Sequence, residues 1–236
     1  MVDGVKALVF DVFGTVVDWR TSIIKDLEGF GRAKGIAADW TALTDAWRAG
    51  YQPAMDKVRS GALGWTHIDV LHRMVLDELL AKFKITGLSE ADKDHVNKAW
   101  HRLNGWPDSS EGLTRLKRKF VISTLSNGNT SLLVNMAKHA GLPWDCVLSA
   151  ETFKAYKPDP RAYLGAAEVL GLKPNEVMMT AAHNSDLVAA SKQGLRTAFV
   201  ARPTEYGPHQ TRDFKAEHEF DVVATDFIDL AKKLGV

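Results

Sequence analysis

The chain has 236 residues, 45% hydrophobic and 25% charged. At about 100–200 residues per domain, that length allows one large domain or a core carrying an insertion. Its 30 basic and 29 acidic residues give a formal charge of +1 with no long basic block, which offers nothing to a nucleic acid or membrane surface and favours a small-molecule partner. No apolar run reaches the roughly 20 residues of a membrane helix, the N-terminus lacks a secretory pattern, and the lone Cys146 has no disulfide partner, so the reducing cytoplasm is the expected home.

Residues 5–10 (VKALVF) are aliphatic and β-branched enough for a strand buried on both faces, as in a parallel sheet. A turn (DVFGT) follows, and then a helical stretch. Between about 19 and 105 the pattern becomes all-helical: residues 39–61, 66–83 and 89–103 repeat apolar side chains at three- and four-residue spacing. Ser89, with Glu90 and Asp92 in the next turn, reads as an N-cap. Beyond residue 106, predicted helices at 110–118, 130–140, 160–171, 185–193 and 226–234 alternate with predicted strands at 119–125, 145–149, 176–180, 196–200 and about 221–223. That alternation predicts right-handed crossovers and a parallel sheet. The expected fold is α/β: a doubly wound parallel sheet built from residues 1–18 and 106–236, with a helical insertion over 19–105.

Open α/β sheets bind ligands beyond the carboxyl ends of their strands, so the residues just after each strand are the informative ones. The first strand ends in DVFGT, the next in LSNGN; KAYKPDPRAY precedes the helix at 160, and a later strand ends in TAAHNSD. These turns offer Asp11 and Thr15, Ser126 and Asn127, Lys157, and His183 with Asp186. Taken singly, each has a structural explanation: Asp11 and Asp186 as caps, Ser126-Asn127 as a turn, Lys157 as a solvated loop residue, His183 as a partner for loop backbone. Their joint placement at one end of the sheet points to a reactive site.

These residues resemble the haloacid dehalogenase superfamily across essentially the whole chain: DVFGT its first motif, STLSNG its second, Lys157 in KPDP its third and HNSD its fourth. The resemblance implies a Rossmann-like core whose helical insertion is a cap domain, with Asp11 as nucleophile. Most members are Mg²⁺-dependent phosphatases that use Asp-x-Asp, and this chain has Phe13 at the second position, where no proton can be transferred. Their fourth motif usually has two acids four residues apart to hold the ion, and the position matching the first is Ala182. Both departures suit the 2-haloacid dehalogenase branch, as do Trp47-Arg48 on the first cap helix and Tyr163 six residues after Lys157.

The resemblance then implies hydrolysis of short 2-haloacids or haloacetates through an aspartyl ester, without metal or cofactor, by a homodimer. Lys157 and Thr15 would hold Asp11, and Asp186 would position water. Arg48, Ser126, Asn127, Phe13, Tyr163 and Asn184 would bind substrate or halide. His183 departs from the branch, as does Ala181, and brings an imidazole able to donate a hydrogen bond or shuttle a proton; close donors suit fluoride, which raises fluoroacetate as a substrate. Tyr51, Gln52, Trp65 and Trp106 are candidates to set selectivity. The alternatives are a Mg²⁺-dependent phosphatase acting on a small phosphate ester and a binding protein on the same fold.

Overall fold

β1 (Ala7–Phe10) is wholly buried, and its side chains divide with the two-residue period of a strand: Leu8 and Phe10 enter one hydrophobic cluster, Val9 a second on the opposite face. Such a strand lies in a sheet covered on both sides. The computed structural model describes residues 4–236, so residues 1–3 of the predicted core lie outside it. After β1 come β2 (Val17–Asp18), α1 (Trp19–Lys34), α2 (Trp40–Arg59), α3 (Ile68–Lys82), α4 (Glu90–Asn97), a 3₁₀ turn (Lys98–His101) and β3 (Asn104–Gly105). Then follow α5 (Ser109–Leu116), β4 (Val121–Ser126), α6 (Thr130–Ala140), β5 (Cys146–Ser149), α7 (Ala150–Phe153), α8 (Pro160–Val169), β6 (Val177–Ala181), α9 (Asn184–Ser191), β7 (Arg196–Val200), β8 (Val222–Ala224) and α10 (Phe227–Lys233).

The main sheet has six strands in the order β5-β4-β1-β6-β7-β8, every neighbouring pair parallel. The expected doubly wound α/β fold is therefore observed. Leu113 of α5, Leu132 and Met136 of α6 and Phe227 of α10 cover the Phe10 face, while Tyr163 and Ala166 of α8 and Leu187 and Ala190 of α9 cover the Val9 face. From β1 the chain winds outward in both directions, which opens the ligand crevice of such sheets at its carboxyl end. Asp11 is the next residue.

Of the helices α1–α4, all but α3 begin at side-chain caps that satisfy otherwise orphaned N–H groups. Asp18 accepts from Thr21 N, Asp39 from Ala42 N, and Ser89, the expected N-cap, forms a capping box with Asp92. Their inner faces, including Ile23, Leu27, Leu43, Trp47 and Leu76, join the cluster containing Phe10. Trp47 is fully buried and donates from Nε1 to His72 O at 2.9 Å, so truncation to alanine costs about 3–5 kcal/mol.

Most predicted boundaries fall within two residues of the observed ones, although the helix expected over 89–103 stops at Asn97 and tightens into the 3₁₀ turn. Three elements were not anticipated as such: α1 as a separate helix, the short α7, and the antiparallel pairing of Val17 with Gly105 and Asp18 with Asn104. A two-residue strand carries no readable periodicity. It forms because the chain leaves and rejoins the sheet region at the same place. Among the described residues, no helix is long and apolar enough to cross a membrane.

Candidate active site

Asp11 directly follows β1 and is 8% exposed. The turn behind it depends on Gly14, whose φ of +86° is a conformation that glycine adopts without strain. Thr15, buried four residues on, donates from Oγ1 to Asp11 Oδ2 at 2.8 Å while its own oxygen accepts from Ala182 N at 2.9 Å, so the hydroxyl proton is directed at the carboxylate. On the other side, Lys157 Nζ lies 2.9 Å from Asp11 Oδ1 and 2.5 Å from Asp186 Oδ2. Asp186 Oδ1 accepts from Tyr163 Oη at 2.6 Å. The backbone that presents Lys157 is fixed from both sides: its N–H donates to Asn127 Oδ1 at 2.8 Å, and its carbonyl accepts from Arg59 Nη2.

Burial alone would raise the Asp11 carboxyl, yet the Lys157 charge and the His183 hydrogen bond and charge hold it well below the usual carboxylate range. Burial would likewise lower the Lys157 ammonium, and the two flanking carboxylates raise it instead. Nucleophile and cation therefore both stay ionised at neutral pH. Burial, with Asp186 beside it, pushes the Tyr163 phenol up, so it remains a donor.

Above Asp11 lies a cavity of about 560 Å³. Its apolar wall includes Phe13, which sits edge-on to Tyr51 at 6.3 Å and to Trp100 at 5.7 Å. Arg48 projects from α2 into the cavity with Cζ 4.5 Å from the centre of the Tyr51 ring and 5.3 Å from that of Trp19. Its Nη1 is buried without a hydrogen-bond partner among the described residues. A buried cation with an unused donor suits an anion.

The structure thus brings together Asp11, Thr15, Lys157, Asp186, Tyr163, His183, Phe13, Arg48 and Asn127. Two other predicted residues face elsewhere. Ser126 does not line the cavity, and its Oγ accepts from Gly128 N at 3.1 Å within its own turn. Asn184 also lies outside the lining: its Nδ2 donates to Asp213 Oδ1 and Lys215 O, and its Oδ1 accepts from Glu217 N, so the amide braces the 213–217 loop. Of the selectivity candidates, Tyr51 and Gln52 line the cavity, Trp65 packs on Tyr156, and Trp106 Nε1 donates to Gly14 O at 2.9 Å.

Glu205 carries no signal in the sequence and is central here. It is 1% exposed, accepts from Trp19 Nε1 at 3.1 Å, and lies 2.8 Å from His183 Nε2 and 4.0 Å from Arg48 Nη2. His183 Nδ1 in turn lies 3.1 Å from Asp11 Oδ2. Tyr206 and Arg212, from the same loop, complete the rim.

The Mg²⁺ that a phosphatase reading implies meets an unsuitable donor set. Asp186 has its oxygens taken by Lys157 and Tyr163, and Phe13 and Ala182 offer no side-chain oxygen. Among the described residues, no group of three or more His, Cys, Asp or Glu side chains could hold a metal ion.

The family described as haloacid dehalogenase-like hydrolase matches residues 5–191. (S)-2-haloacid dehalogenase 4A of Burkholderia cepacia is 33% identical over 221 residues, covering 87% of this chain and 88% of that one. A crystal structure of an L-2-haloacid dehalogenase, 49% identical, superposes with a TM-score of 0.96 over 98% of this chain and 99% of that one. A defluorinating L-2-haloacid dehalogenase, also 49% identical, has a TM-score of 0.96 over 98% and 96% of the two chains. With the sheet order, the reactive turns and these matches in agreement, the chain belongs to the haloacid dehalogenase-like hydrolases.

Proposed function

We propose that this protein hydrolyses short 2-haloalkanoic acids, L-2-haloacids and haloacetates including fluoroacetate, to 2-hydroxy acids. The observation that carries the reading is the pairing of an ionised, buried Asp11 with the apolar Phe13 two residues on and with Arg48, which keeps a donor free for an anion. Asp11 attacks the carbon bearing the halogen from the back side, expelling halide and leaving an ester on the enzyme. A dry cavity strips the nucleophile of water and holds it in line. Lys157 and Thr15 orient Asp11. Arg48 and Asn127 meet the developing halide charge, or the substrate carboxylate together with N–H groups of the turn at Ser126. Asp186, held by Tyr163, positions the water that cleaves the ester.

The same proposal divides the chain into a core of residues 1–18 and 106–236 and a cap of residues 19–105, supported by the β2–β3 pairing at the crossing. It also includes a homodimer, supported by the family resemblance, in the cytoplasm, supported by the lone Cys146. The test is halide release from fluoroacetate, chloroacetate and both enantiomers of 2-chloropropionate, each with and without EDTA. Release insensitive to EDTA is expected. Hydrolysis of phosphate esters requiring Mg²⁺, with no halide released from any acid, would overturn the reading.

A further inference from the structure

The two oxygens of Asp11 have different surroundings. Oδ1 lies 2.9 Å from Lys157 Nζ, whereas Oδ2 accepts from Thr15 Oγ1 at 2.8 Å and lies 3.1 Å from His183 Nδ1. Behind the imidazole stands Glu205, with Oε2 2.8 Å from Nε2 and Oε1 held by Trp19 Nε1 at 3.1 Å. A carboxylate buried this completely is costly unless its partners compensate it, and displacement of halide by Asp11 makes no use of it. Burial would strip the His183 imidazole of its second proton, but Glu205 and Asp11 together raise its pKa well above the ordinary value. Both ring nitrogens thus carry protons, one aimed at each carboxylate.

This arrangement matters after the first half-reaction. Attack through Oδ1 makes that oxygen the bridging atom of the ester and leaves Oδ2 as the carbonyl oxygen. Water then adds to Cγ, and the carbonyl electron pair moves onto Oδ2. As the intermediate collapses, that pair restores the carbonyl and the Cγ–Oδ1 bond breaks. Oδ1 departs as the hydroxyl of the 2-hydroxy acid, taking one proton of the water, while the other proton passes to solvent and the water oxygen stays in the regenerated carboxylate.

We propose that Thr15 Oγ1–H and His183 Nδ1–H form the oxyanion site for ester hydrolysis, with Glu205 as the positioning residue that fixes the His183 ring through Nε2. This rests on the dehalogenase reading and adds to it a division of labour: Lys157 serves the oxygen that attacks, Thr15 and His183 the oxygen that remains. Donors already aimed at the developing charge need no reorganisation when it forms.

The test compares Glu205→Gln and His183→Gln with the unsubstituted protein, using chloroacetate, rapid-quench measurement of chloride and intact-protein mass spectrometry. Each variant is expected to release about one chloride per protein in a burst at a rate within a few-fold of the unsubstituted protein. Hydrolysis should then slow by about tenfold or more, so that the ester adduct accumulates. The burst itself reports a folded, competent nucleophile, and His183→Gln carries the comparison should Glu205→Gln fail to fold. Loss of the burst in folded protein, or turnover without ester accumulation, would overturn the proposal. No chloride from the unsubstituted protein would instead overturn the dehalogenase reading beneath it.

Discussion

A Cβ placed on Gly14 would stand 2.1 Å from Glu205 Oε1, so the turn after the nucleophile and the loop after β7 occupy space that only a glycine leaves free. Gly14→Ala is expected to destabilise the protein by at least about 1–2 kcal/mol from its left-handed backbone alone. It should also displace Glu205 and lower turnover. Chemical denaturation followed by halide-release assays on the folded fraction separates the two effects; an alanine variant of full activity would show that Glu205 is not needed where it stands.

Lys157→Ala should expose the electrostatics of the nucleophile. Asp11 titrates well below the usual carboxylate range, so its contribution to stability is present above the unfolded carboxylate pKa and is lost as pH falls towards the folded one. Without the ammonium, burial dominates and the Asp11 pKa rises, which moves the acid limb of turnover to higher pH. A pH series of halide release measures the limb. An unmoved limb would assign the low pKa to His183 alone.

Arg48→Lys should lower kcat/KM by about ten- to a hundredfold with little change in thermal stability. The guanidinium spans the rings of Tyr51 and Trp19 and keeps Nη1 unpaired, and a lysine ammonium reproduces neither the stacking nor the forked donor geometry. Steady-state kinetics with chloroacetate check this.

His72 presents the opposite case, a buried histidine that gains nothing from its polarity. Its ring stacks on Trp100 with centroids 4.3 Å apart, both nitrogens lack partners among the described residues, and burial, with Arg48 and His101 adding to it against Asp69, lowers its pKa from 6.5 to about 3. The unfolded chain binds a proton that the folded chain refuses between those values, so stability falls by roughly 1 kcal/mol for each pH unit between 6.5 and about 3. His72→Phe is expected to flatten that slope and raise stability at pH 5. Urea denaturation at pH 5 and pH 7.5 measures both; an unchanged slope would place the linked proton on another residue.

The turns at Asp11, Ser126 and His183 are legible in the sequence because each follows a strand whose burial on both faces imposes a recognisable apolar run, whereas the Lys157 turn follows the short α7 and is marked by its proline-rich KPDP. The position of Asp11 at the crevice follows from strand order alone. Glu205 is not legible: it lies in an aperiodic loop rich in proline and glycine, and its burial results from the Gly14 turn and the Trp19 indole, neither near it in sequence. Asn184 shows the converse. It adjoins the reactive His183, yet an amide with donors and acceptor all engaged by the 213–217 loop is a brace, and sequence adjacency does not distinguish the two.

The ladder of Val17 with Gly105 and Asp18 with Asn104 gathers both crossings of the chain into one narrow neck. Helices α1 to α4 therefore form an excursion whose ends are already tied together, and their own length or sequence does not bear on how the parallel strands register. Selection is free to reshape the roof over the cavity, exchanging Gln52 to admit a longer acid, without disturbing the floor that holds Asp11.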